Sequence, residues 1–249
     1  MDRKYWVPAL ERANLVVQAI AAEPSKLRLI DLTAATGINK STMFSLLHTM
    51  ETLGWVNREK GDTYSLGAAF AYLGNAYFSG INLVELFMQK SGAAVERLGE
   101  TVQMAKLDGS HIIYLAKKEA PSQVRLLSEP GMRLPAYSTA MGKMLLSHLE
   151  DAEVILLHKE VSFKSYTDRT VASAEELLAQ LAVIRKQGFS TDEEEFAPGF
   201  SCIAAPILNR SGAAVAAVSF TLPSQQWETK RETAAREIQR LAGEIGAAL

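Results

Sequence analysis

Between positions 8 and 66 the apolar residues first fall at helical spacing and then switch to strand-like alternation. From Pro8 to Ala22, Leu10, Asn14, Leu15, Val17 and Ile20 lie near one face, and Pro8 suits a helix start. Pro24-Ser25 breaks that run, and Leu27-Arg28-Leu29 has the pattern of a short strand. A second helix stops at Gly37, which tolerates the left-handed backbone of a sharp interhelical turn. In the next run Ile38, Met43, Leu46, Leu47, Met50 and Leu53 make one apolar stripe. Its other face carries Asn39, Lys40, Thr42, Ser45, His48 and Thr49, without a carboxylate. Trp55-Val56-Asn57-Arg58 and Thr63-Tyr64-Ser65-Leu66 then alternate as two strands across Glu59-Lys60-Gly61-Asp62. The order predicts a winged helix-turn-helix over residues 1–66, whose second helix reads duplex DNA. An antiparallel helix pair in an ordinary core is the plainer alternative. On the DNA reading, Asn39, Lys40, Ser41, Thr42, Phe44 and Ser45 face the groove, and Arg58 and Lys60 touch backbone phosphate.

Residues 67–82 predict a helical connector with neither proline nor a Ser/Gly run, hence a stiff one. Phe70, Tyr72, Leu73, Tyr77 and Phe78 are its expected dimer seam, intrachain packing being the alternative. Beyond it the pattern predicts helices over Val84–Leu98, Thr139–His148, Ala152–Lys159, Ala174–Gln187 and from Gln225 onward. Strands are expected at Thr101–Leu107, His111–Ala116, Gln123–Leu127, Cys202–Leu208 and Ala213–Leu222, with turns at Asp108-Gly109-Ser110 and Asn209–Gly212. Hairpins flanked by helices imply an α+β domain on one antiparallel sheet over residues 83–249.

Composition narrows the setting. A chain of 249 residues suits two domains, and 48% hydrophobic content supports packed cores. No apolar run approaches the ~18 residues of a membrane span, and Met1–Trp6 lacks a secretory signal, so no membrane partner is expected. One cysteine, Cys202, excludes an intrachain disulfide and fits the cytoplasm. Net charge is −2, and residues 1–66 hold eight Lys/Arg against seven Asp/Glu. A single head so weakly basic binds DNA poorly alone, so a homo-oligomer, dimer or tetramer, is expected.

Two segments of the second half carry candidate chemistry. In Pro135–Lys143, Ser138 or Thr139 can cap a helix whose Ala140, Met141 and Gly142 N–H groups would meet an anion. In Gly188–Ile207 four acids run into an apolar strand, and Asp192 beside Cys202 makes a polar pocket floor. An effector is therefore expected on Thr139, Ala140, Met141, Gly142, Asp192 and Cys202, with Met132, Leu134, Tyr137 and Ile203 as apolar walls. A solvated loop, a capped helix and a small buried thiol are the plain readings of the same residues. His48, His111, His148 and His158 show no metal-ligand spacing, and no phosphate loop or nucleophile elbow is present. No metal, cofactor or catalytic residue is expected. A Cys202–His111–Asp192 triad has nothing in its favour over a satisfied core.

These residues resemble the isocitrate-lyase-regulator (IclR) family of bacterial transcription factors along essentially the whole chain. The resemblance rests on Ala9–Ala13, Asp31–Thr42, Leu46-Leu47, Leu53–Val56 and Tyr64–Gly67 in the first half. In the second half it rests on Thr139–Lys143 and on Gly188, Asp192, Glu195 and Cys202-Ile203-Ala204 at their spacing. It implies a GAF-like effector domain for a small, often acidic or aromatic metabolite, dimers or tetramers, and action as repressor or activator of an operon, of which a repressor is the expectation here. Two departures stand out: Ser45 where an arginine is common, and Leu208 where an aromatic or histidine is usual. Ser45 keeps open an alternative, a ligand-binding or enzymatic α+β domain with a degenerate DNA-binding head.

Overall fold

Helix α1 (Pro8–Ala22) opens with proline in its first turn and buries Ala13, Val16 and Ile20. Helix α2 (Leu29–Thr36) ends at Gly37, whose φ of +71 makes the left-handed turn into α3 (Lys40–Thr52). The two strands of the wing, β1 (Val56–Arg58) and β2 (Tyr64–Leu66), pair antiparallel, Val56 opposite Leu66. Instead of a strand at 27–29, a single bridge joins Arg28 to Thr63, and Leu29 already begins α2 because Asp31 accepts the Arg28 N–H at 2.9 Å. Ile20, Leu32, Met43, Leu47, Met50 and Val56 close this core. Leu53, assigned to the apolar stripe, is 55% exposed: it caps α3, one residue past the helix. Helix α4 (Ala68–Ser79) follows Gly67, where a Cβ would stand 2.1 Å from the Gly54 carbonyl oxygen.

The computed structural model describes residues 6–79, 82–121 and 128–249, so the strand expected at Gln123–Leu127 lies outside it. The chain divides into two units, Met1–Gly80 and Ile81–Leu249. In the second, a six-stranded sheet has the order β5-β4-β3-β8-β7-β6. Its strands are β3 (Thr101–Asp108), β4 (His111–Lys118), β5 (Arg133–Pro135), β6 (Ser190–Glu193), β7 (Phe200–Leu208) and β8 (Ala214–Pro223), all paired antiparallel. Helices α5 (Asn82–Leu98) and α9 (Trp227–Gly246) pack together and against the sheet. Helix α6 (Ala140–Leu146) lies on β7, β8 and β3, backed by α8 (Ala174–Gln187), against which α7 (Asp151–His158) also rests. Side-chain alternation along β7 sends Cys202 and Ala204 toward the α6 core and its neighbour Ile203 to the opposite face.

Candidate nucleic-acid interface and ligand cavity

The α3 face opposite Met43, Leu47 and Met50 exposes Lys40, Ser41, Phe44, Ser45, His48 and Thr49. Thr42 is half-buried. Asn39 is the N-cap: its Oδ1 accepts the Thr42 N–H at 2.9 Å and the Ser41 hydroxyl at 2.8 Å. Its amide oxygen is thus committed to the helix start. On the wing Lys60 is exposed, whereas Arg58 is held by Asp62 at 2.6 Å. Along the connector, Phe70 lies 5.7 Å from Trp55 between ring centroids, so it packs within its own chain. Tyr72 and Leu73 are 74% and 53% exposed, and the side chains of Tyr77 and Phe78 lie outside the described residues.

A cavity of about 340 Å³ opens between α6 and the sheet. It gathers Thr139, Ala140 and Met141 from the α6 start, Asp192 from β6 and Cys202 from β7. Met132 and Leu134 line it as expected of apolar walls, with Phe196 and Phe200 as further aromatic lining. Three expected residues take other positions. Gly142 donates its N–H to Thr139 Oγ1 at 3.2 Å, and a Cβ there would stand 2.2 Å from the Ala136 carbonyl oxygen. It is a close-packing residue, and the three-amide anion cradle is not formed on this seven-residue helix. Tyr137 points away, its hydroxyl donating to the Lys164 carbonyl at 3.0 Å. Ile203 is fully buried on the other side of the sheet.

Asp192 is 4% exposed and accepts the Glu195 N–H at 2.6 Å. Burial and the Glu195 carboxylate push its carboxyl up to about 7, while Lys143 and the amides of Glu195 and Phe196 pull the other way. Behind it Lys143 and Glu195 form a buried ion pair, with Lys143 also donating to Gln180 at 2.9 Å. Burial raises the Cys202 thiol, which sits 3.3 Å from the Thr221 hydroxyl, so Cys202 is neutral at ordinary pH. His111 stands at the β4 start beside Ser110 and does not line the cavity, so the three members of the triad do not meet there. Among the described residues no cluster of His, Cys, Asp or Glu suits a metal ion.

The sequence reading missed Gln103, Tyr114, Ser128, Ser219 and Thr221 in the lining. Register brings Gln103, Ser219 and Thr221 together: Gln103 lies opposite Ser219 and Cys202 opposite Thr221. Ser219 and Thr221, two apart in the apolar run Ala216–Leu222, were the available signal, since they share one face of a strand.

A winged helix-turn-helix ahead of an α+β unit with an internal cavity is the build of a DNA-binding transcriptional regulator. Residues 9–60 match the IclR helix-turn-helix domain and residues 75–247 the bacterial transcriptional regulator IclR C-terminal domain. The chain belongs to the IclR family of bacterial transcriptional regulators. It is 32% identical over 237 residues to the HTH-type transcriptional regulator KdgR of Escherichia coli K12, covering 92% of this chain and 90% of that protein. The HTH-type transcriptional repressor AllR of Salmonella typhimurium is 28% identical over 247 residues, covering 97% and 89%. The crystal structure of Thermotoga maritima IclR superposes with a TM-score of 0.80 at 27% identity, covering 97% of this chain and 98% of that one. The chain is accordingly a regulator and not an enzyme.

Proposed function

We propose that this chain is a cytoplasmic repressor, assembled as a dimer or tetramer, whose grip on an operator is set by a small organic metabolite in the α6–sheet cavity. Asp192 carries the reading: a buried carboxyl, 4% exposed, at the floor of a cavity otherwise lined largely by apolar groups. Met132, Leu134 and Met141 face Phe196 and Phe200 around space for an apolar or aromatic body, and Asp192, Ser219 and Thr221 meet its polar end. To regulate, the metabolite must favour one arrangement of the paired heads; coupling of about 1–3 kcal/mol changes operator affinity roughly 5- to 150-fold.

The test is operator binding by fluorescence anisotropy, with and without substrates of the enzymes encoded beside the regulator's gene. Asp192→Ala and Cys202→Leu are expected to abolish the response to metabolite while operator binding without it persists. Variants that respond with unchanged affinity would place the effector elsewhere. Binding that tightens on metabolite addition would replace repressor release with corepression.

A further inference from the structure

On α3 the exposed hydroxyls are already engaged within the helix. Ser41 Oγ donates to Asn39 Oδ1 at 2.8 Å, Ser45 Oγ to the Ser41 carbonyl at 3.2 Å, and Thr49 Oγ1 to the Ser45 carbonyl at 2.9 Å. A base edge recruiting any of them as a donor must first break that bond. The Asn39 amide oxygen is held by the cap, and position 45 offers serine. In the middle of the same face stands Phe44, 63% exposed, its ring parallel to that of His48 within 4° at 6.5 Å. A phenyl ring held out in water by a DNA-reading helix has one good partner in the major groove, the C5 methyl of thymine.

We infer that Phe44 is a specificity-determining residue, selecting operator half-sites by packing its ring on a thymine methyl. This rests on the α3 face being the DNA-reading surface. Lys40, exposed one helical turn earlier, supplies sequence-independent attraction to phosphate, so the two residues divide affinity from selectivity.

The full-length chain is used to enrich duplexes from a random pool. The tightest duplex is then remade with uracil for thymine, one position at a time, which removes only the methyl. At least one position per half-site is expected to lose about fourfold in affinity, the worth of one buried methyl. Phe44→Ala binds more weakly, no longer distinguishes thymine from uracil there, and keeps the wild-type salt slope, whereas Lys40→Ala lowers that slope by about 1. Phe44→Leu retains part of the discrimination. Uracil tolerated at every position, or discrimination that survives Phe44→Ala, overturns the inference. So does Phe44→Ala losing oligomeric state while discrimination persists, which would put the ring in a protein interface. A pool that yields no discrete sequence overturns the DNA-reading function itself.

Discussion

Asp192 shows how one side chain can serve the cavity at a cost to the fold. Its carboxyl ordinarily titrates near 3.8 and in the folded chain near 7. Between those values the folded state binds the proton more tightly than the unfolded chain does. The stabilisation from this raised value is therefore full below pH 3.8 and is lost as pH rises toward 7. Asp192→Asn removes the buried charge while its side-chain oxygen can still accept the Glu195 N–H. The variant is expected to melt above wild type at pH 8, with the gap narrowing at pH 5. An equal gap in thermal scans at both pH values would disprove the buried charge. The same proton matters to a ligand: a carboxylate metabolite seated against Asp192 binds more tightly as pH falls through about 7, and a neutral one does not.

At the scale of elements, local chemistry decided what could be read. Helix α8 runs over Ala174–Gln187 as its amphipathic spacing predicts, ended by Gly188, whose φ is +75, while the Ser173 cap at its start is supplied by the structure. Strands β5 and β6 were invisible. The first has three residues, and the second, Ser190-Thr191-Asp192-Glu193, has the polar composition of a loop. Only pairing with β7 makes β6 a strand and turns Ser190 and Asp192 inward, a long-range cause that no local pattern records. Asp192, Cys202 and the α6 start were legible as neighbours and do line one cavity, while the Gln103, Ser219 and Thr221 wall depended on register. Helix α6 sits where it does because Gly142 admits the Ala136 backbone. Gly142→Ala should cost about 1–3 kcal/mol in urea unfolding, through overpacking. Gly92→Ala in α5, where a Cβ meets nothing within 4 Å, should instead be neutral or gain up to about 1 kcal/mol. Similar values for both would remove close packing as the role of Gly142.

For the molecule as a whole, the apolar surface on the first unit bears on assembly. Leu10, Leu15, Tyr72 and Leu73 are 62%, 44%, 74% and 53% exposed in the single chain. Light scattering at micromolar concentration is expected to return the mass of two or four chains. Tyr72→Glu with Leu73→Glu should lower that mass and weaken operator binding together, since tied heads gain effective concentration. A wild-type mass of one chain would defeat the oligomer.

Two hydrophobic clusters among the described residues have no member in common: one is built around Val16, Leu32 and Met43, the other around Tyr137, Leu146 and Leu181. For the paired repressor proposed above, this separation would have a genetic signature. Lesions in the first cluster that spare the Tyr72 and Leu73 surface would leave chains able to pair but not to read DNA, so such alleles are expected to poison wild-type partners and act as dominant negatives. On the same proposal, lesions at Asp192 or Cys202 would leave the heads intact and are expected to give uninducible alleles, dominant in the opposite sense. A mutagenesis screen of the gene should therefore sort into two phenotypic classes on either side of the boundary between Gly80 and Ile81.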